Sequence, residues 1–112
     1  MSLTSRKEDN ATILEWKGPL GVDNHVAFKD GVQALVDKKD VRLILDLGAV
    51  NFIDSTGLGV MTALLRRVKQ LGGDLILVNI QEEVKPIFEI TGLKKLFTIV
   101  PGIKEALSEL RA

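Results

Sequence analysis

The feature that most constrains this chain is a pair of apolar runs separated by an amphipathic helical pattern. Residues 41–47 and 74–80 are each nearly continuous in aliphatic side chains, as in strands covered on both faces. Between them lies an apolar stripe at the helical period, made of Leu58, Met61, Leu65 and Val68. Gly72-Gly73 indicates where that helix ends. Because strands joined by a helix run parallel with a right-handed crossover, this unit predicts an α/β fold.

The flanking segments continue the alternation of strands and helices. Residues 11–17 alternate in polarity, which predicts a strand half exposed to water. The other predicted elements are a helix over 24–38 despite Gly31 in its middle, a short helix over 84–92, a strand over 96–100 and a terminal helix with Pro101 in its first turn. The predicted fold class is therefore α/β, with a mixed β-sheet of mainly parallel centre covered by about four helices.

Composition limits the classes of function. The chain has 112 residues and is 46% hydrophobic, enough for one packed domain over residues 1–112, with residues 1–9 expected to be an N-terminal segment partly of cloning origin. Fifteen basic and fifteen acidic residues cancel, so no overall charge favours direct binding of nucleic acid or of an anionic membrane. Without cysteine and with only His25 as imidazole, we expect no metal site, and we expect no cofactor.

Two further expectations come from the apolar residues. No apolar run approaches the ~20 residues that cross a bilayer, and the N-terminus is not signal-like, so we expect no membrane insertion and a cytoplasmic location. The few aromatic side chains are spread along the chain, and each is expected in the core rather than in a ligand platform: Trp16, Phe28, Phe52, Phe88 and Phe97.

A hydroxyl stands where the buried strand gives way to the helix. Asp54 and Ser55 precede the helical stripe, so Ser55 is expected at or beside a helix start. The first N–H groups of a helix lack partners and favour an anion, so a phosphoryl group on Ser55 would be well placed. The alternative is that Asp54 or Ser55 is simply the N-cap of the helix. Judged from this short motif alone, the cap is the favoured interpretation.

With its context, the pattern resembles the anti-sigma factor antagonist family, whose fold is the STAS domain. The resemblance rests on residues 45–47, on the string Phe-Ile-Asp-Ser-Thr-Gly-Leu-Gly-Val at 52–60, on 72–73 followed by 75–78, and on 90–93 with 96–99, and it spans about residues 10–110. It implies that Ser55 accepts phosphate from an anti-sigma factor that is also a serine kinase. The unmodified protein would bind that anti-sigma factor and so release a sigma factor, and a serine phosphatase would restore the binding form.

The resemblance also implies a set of site residues. Thr56 is the alternative acceptor, and the surface that binds the partner would include Asp54, Ser55, Thr56, Gly57, Leu58, Gly59 and Asp23. The two glycines would either admit a partner or allow close helix-to-sheet packing. The family commonly has Gly-Glu-Leu-Asp after the strand that precedes the first helix, where this chain reads Gly-Pro-Leu-Gly at 18–21. Asp23 would supply a nearby carboxylate or, as spacing slightly favours, cap the first helix.

Two other classes of function compete with this interpretation. A serine hydrolase would need glycine at position 53, where Ile53 stands, and its only available base, His25, comes before the serine in the chain; we therefore predict that the protein is not an enzyme. The second class is a STAS interaction or scaffold module, in a stress-signalling complex or as a lipid-transport accessory, in which Ser55 only caps the helix. That alternative, and self-association, stay open from the sequence.

Overall fold

Five strands form one mixed sheet in the computed structural model, which describes residues 2–111. In the order of the sheet they are β1 (Ser2–Glu8), β2 (Ala11–Lys17), β3 (Arg42–Asp46), β4 (Asp74–Val78) and β5 (Thr98–Val100). β1 pairs antiparallel with β2, and every other pairing is parallel. The predicted mixed sheet with a mainly parallel centre is confirmed.

Four α-helices connect and cover these strands. They are α1 (His25–Asp37), α2 (Ser55–Gln70), α3 (Lys85–Ile90) and α4 (Ile103–Arg111), and a short 3₁₀ turn at Leu93–Lys95 follows α3. α2 ends as predicted: Gly72 has φ +84°, and the N–H of Gly73 donates to the carbonyl of Val68 at 2.8 Å. This is a Schellman end, for which glycine is the favoured residue. The prediction for α4 was slightly wrong, because Pro101 lies just before the helix rather than in its first turn.

The prediction that β2 is half exposed to water was wrong. Ile13 is only 1% exposed, because it pairs with Ile44, which in turn pairs with Ile76, and this row lies beneath α4. The larger core fills the opposite face of the sheet. In that core Trp16 and Phe28 make an edge-to-face contact with ring centroids 5.4 Å apart. β2 is therefore a central strand covered on both faces.

The first strand, β1, was missed by the sequence analysis, which gave residues 1–9 no structure. It joins β2 through a two-residue turn in which Asp9 and Asn10 have φ of 51° and 65°. Positive φ at both central positions is typical of a type I′ hairpin, and Asp and Asn tolerate it best after glycine. A Cβ on Gly31 would lie 2.7 Å from the Cδ2 atom of Leu3. Gly31 in the middle of α1 therefore makes room for β1.

Candidate functional site

The start of α2 is held against the loop between β2 and α1. The N–H of Leu20 donates to the carbonyl of Phe52 at 2.9 Å, and the N–H of Asp54 donates to the carbonyl of Leu20 at 3.2 Å. Leu20 and Ile53 thereby form an isolated parallel bridge beyond the ends of β2 and β3. This bridge brings the first residues of α1 and α2 together.

Asp54 is the N-cap of α2 and also fastens the loop. Its Oδ1 atom accepts the N–H of Gly57 at 2.9 Å, and its Oδ2 atom accepts the N–H of Val22 at 3.0 Å. The pKa of Asp54 is lowered below its ordinary value of 3.8, first by the Gly57 bond and then by the Val22 bond, with smaller contributions from the backbone of Thr56 and the charge of His25. Asp54 is therefore ionised at neutral pH.

Ser55 is the first residue of α2 and its side chain is exposed. Because Asp54 caps the helix, the hydroxyl of Ser55 is not needed as a cap, and it makes no hydrogen bond to any residue in the range 2–111. Ser55 lines a groove of about 380 Å³ between α2 and the segment that follows α3, together with Thr62, Arg66, Thr91 and Leu93. The hydroxyl is therefore open to a second molecule.

The neighbouring residues of the motif divide into surface and core. Thr56 is half-buried, and Gly59 is exposed with no atom within 4 Å of a Cβ placed there. Gly57 is buried, and a Cβ on it would lie 2.9 Å from the carbonyl carbon of Leu20 and closer still to its oxygen. Leu58 is 3% exposed and belongs to the core. Gly57 thus serves close packing, whereas Gly59 leaves the helix surface open.

The prediction that Asp23 caps α1 was wrong. α1 begins at His25 with Asn24 before it, and Asp23 is an exposed loop residue. The Oδ1 atom of Asn24 accepts the N–H of Gly21 at 2.8 Å, which fixes the turn of the loop. Sequence reasoning missed Asn24, although asparagine commonly makes such local backbone bonds.

Gly21, where the family commonly has aspartate, has no room for a side chain in this structure. A Cβ on Gly21 would lie 2.7 Å from the carboxylate carbon of Asp54. In this arrangement the carboxylate of Asp54 lies where a side chain at position 21 would begin. One carboxylate, that of Asp54, therefore holds both the loop and the helix.

His25 does not pair with Ser55. Its Nδ1 atom instead lies 3.2 Å from the carbonyl oxygens of both Gly21 and Val22, within hydrogen-bond distance of these two acceptors. Residues 2–111 contain no group of three His, Cys, Asp or Glu side chains arranged to hold a metal ion. Over the same range, no helix is both long and apolar enough to cross a membrane.

Phe52 was predicted to lie in the core, and this was wrong: its side chain is 54% exposed. Together with Ile90, which is 85% exposed, it lines a groove of about 330 Å³ between the α2 start and α3. Its backbone carbonyl accepts the N–H of Leu20, while its side chain stays outside the core. Phe52 and Ile90 therefore form an exposed apolar groove that is separate from the groove containing Ser55.

Comparison with known proteins agrees with this fold. The family model described as the STAS domain matches residues 2–106. The chain therefore belongs to the STAS domain family, and within it to the anti-sigma factor antagonists. The anti-sigma-B factor antagonist of Bacillus subtilis is 43% identical over 95 residues, which cover 84% of this chain and 85% of that protein.

Solved structures of other proteins are also similar to this fold. A crystal structure from Thermotoga maritima, provisionally named as an anti-sigma factor antagonist, has a TM-score of 0.93 and 30% identity, covering 98% of this chain and 95% of that one. The Bacillus cell fate determinant SpoIIAA in its phosphorylated form has a TM-score of 0.72 and covers 98% of this chain and 100% of that one. At 17% identity the SpoIIAA likeness shows the fold alone.

Proposed function

We propose that this protein is an anti-sigma factor antagonist that works as a phosphorylation-controlled partner switch. Unphosphorylated, it binds an anti-sigma factor that is also a serine kinase, and a sigma factor is released. Phosphorylation of Ser55 ends the binding, and a serine phosphatase restores it. We place this exchange in the cytoplasm, where the kinase has ATP.

One observation carries the proposal: the cap of α2 and the hydroxyl beside it belong to different residues. Asp54 makes the capping bond to Gly57, so Ser55 can be modified without removing that bond. A helix start also favours the added anion, because its first N–H groups and the helix dipole point toward it. Ser55 therefore combines exposure, a stable setting and a favourable environment for phosphate.

The same geometry explains why phosphorylation would release a partner. A phosphoserine carries about −1.5 to −2 charges at neutral pH. It would stand beside the carboxylate of Asp54, whose lowered pKa keeps it ionised. A partner that covers this region would have to desolvate both anions or lie against their combined charge. A tenfold loss of affinity needs only about 1.4 kcal/mol, so even a modest repulsion would shift the equilibrium toward the separated proteins.

The test uses the anti-sigma factors with a serine-kinase domain encoded in the same genome. Each is incubated with the protein and ATP, and intact mass is measured for wild type, Ser55→Ala and the matched control Thr56→Ala. We expect one added phosphate in wild type and Thr56→Ala, and none in Ser55→Ala. A phosphate lost only in Thr56→Ala would move the acceptor to the neighbouring hydroxyl.

Calorimetric titration of the same anti-sigma factors measures the switch itself. We expect Ser55→Ala to bind as wild type does, and Ser55→Asp to bind at least about tenfold more weakly because it adds charge at the docking surface. Equal affinities of the two variants would contradict the switch. Binding without any phosphate transfer would instead indicate the scaffold module, in which Ser55 has no regulatory role.

A further inference from the structure

A second groove lies on the other side of α2, between α2 and α1. We call it the α1–α2 groove; its volume is about 430 Å³, and its lining includes His25, Lys29, Gln33, Thr56, Val60 and Arg67. Gly59 and Ala63 line both this groove and the groove that contains Ser55. The exposed ridge of α2 therefore separates two neighbouring depressions, and a molecule in one lies close to the other.

The titratable side chains that line the α1–α2 groove are all basic. Seven of the fifteen lysines and arginines make an ion pair within residues 2–111, as in the Lys69–Asp74 and Lys85–Glu82 pairs. Lys29 and Arg67, in contrast, make no ion pair with any residue in the range 2–111. In a chain of zero net charge, the groove is thus a local excess of positive charge.

The floor of the groove is small and apolar. Gly59 leaves open space, and Val60 and Leu64 line the groove beside Ala63. From Thr56 to Arg67 the helix rises about 16 Å, at ~1.5 Å per residue. That length accommodates an extended segment of about five residues or about three turns of helix. The complementary ligand is therefore a short segment that combines acidic side chains with one or two apolar ones.

We propose that the α1–α2 groove receives an acidic segment of the anti-sigma factor. This inference rests on the proposed function and names the part of the anti-sigma factor whose binding responds to phosphorylation of Ser55. Thr56 lines the α1–α2 groove and Ser55 lines the groove across the ridge of α2, so a segment in the α1–α2 groove lies within about one helix diameter, ~10 Å, of the acceptor hydroxyl. A phosphate on Ser55 then repels the carboxylates of the segment as well as adding to the charge of Asp54. The basic groove attracts the partner, and the phosphate cancels that attraction.

The first experiment needs no partner. The ¹⁵N-labelled protein is titrated at 20 mM NaCl with a synthetic peptide, Glu-Glu-Leu-Glu-Glu-Leu-Glu, and separately with its counterpart in which lysine replaces glutamate. We expect amide shifts confined to the start of α1 and the exposed face of α2, with the acidic peptide only. They should vanish in Lys29→Glu/Arg67→Glu and persist in the control Lys104→Glu, which changes an exposed lysine on α4. Shifts that are absent, spread over the surface or equal for both peptides would overturn the inference.

The second experiment uses the anti-sigma factor that binds wild type in the titrations above. At 50 mM NaCl we expect Lys29→Glu/Arg67→Glu to bind roughly 10- to 30-fold more weakly than wild type or Lys104→Glu, with the difference shrinking at 500 mM NaCl because exposed charges are screened. Affinity equal to that of Lys104→Glu would refute the groove as the docking site. If wild type itself binds none of the anti-sigma factors, the proposed function fails, and the peptide titration still decides what the groove binds.

Discussion

Replacing Gly57 by alanine tests whether the α2 start is built by close packing against the loop. Alanine is the best helix former, so by propensity alone the change would stabilise α2 by up to about 1 kcal/mol. The structure predicts instead that Gly57→Ala destabilises the protein. The new Cβ would lie 2.9 Å from the carbonyl carbon of Leu20, whereas ordinary contacts begin at 3.4 Å.

The Leu20 carbonyl has little freedom to move away. It accepts the N–H of Asp54, and the N–H of Leu20 is held by Phe52. Relieving the overlap therefore costs about 1–3 kcal/mol of overpacking and about 1 kcal/mol for the hydrogen bond that is stretched or lost. After subtracting the propensity gain, we expect Gly57→Ala to lower the free energy of unfolding by about 1–3 kcal/mol.

The matched control is Gly59→Ala, two residues further along the same helix. A Cβ there meets nothing within 4 Å, so only the propensity gain remains. Urea unfolding followed by circular dichroism should show Gly57→Ala below wild type and Gly59→Ala equal to wild type or above it by up to about 1 kcal/mol. In melting temperature, the loss for Gly57→Ala corresponds to roughly 4–12 °C. If Gly57→Ala matched or exceeded wild type in stability, the close packing of α2 on Leu20 would be refuted.

Two further predictions follow from the site and the core. Because the pKa of Asp54 is lowered in the folded state, the contribution of its carboxylate to stability is present above pH 3.8 and is lost as pH falls below that value. The difference in urea midpoint between wild type and Asp54→Asn should therefore shrink from pH 7 to pH 3. A difference that stays constant would contradict the charge assigned to Asp54. Ile13→Ala should lower the free energy of unfolding by about 2–4 kcal/mol because α4 buries this side chain. In the control Glu15→Ala, in the same strand, urea unfolding should show a change of no more than about 0.5 kcal/mol. Equally small effects of the two substitutions would show that α4 does not cover β2.

Much of the fold could be predicted because its signals are local. The apolar runs of β3 and β4, the stripe of α2 and the Gly72-Gly73 end all lie within short stretches of chain, and each formed where its pattern indicated. β1 could not be found in this way, since Ser2–Glu8 is a mostly polar edge strand whose Leu3 packs against the core in the space left by Gly31, far along the chain. Asp9-Asn10 was the one available signal, as a turn that accepts positive φ.

In the candidate site, too, some features follow from local sequence patterns and others depend on tertiary contacts. That Asp54 and Ser55 stand at a helix start follows from the sequence pattern, but which of them caps the helix does not, because both residue types cap well. Phe52 was expected in the core by its hydrophobicity, and only the folded structure shows that its side chain is exposed. Lys29 and Arg67 both line the α1–α2 groove. They lie on different helices, so no periodic pattern in the sequence indicates that they are neighbours.

By itself, the sequence determined the α/β class, the parallel centre of the sheet and the place of the hydroxyl at the start of α2, because hydrophobic periodicity and helix-end signals act over a few residues. Only the tertiary structure decided that Asp54 serves both the loop and the helix, which frees Ser55, and that Gly57 is packed while Gly59 is open. These outcomes depend on how closely segments more than thirty positions apart approach, as in the 3.0 Å bond from Val22 to Asp54. Such distances are set by the packing of the whole core and are not written in any local pattern.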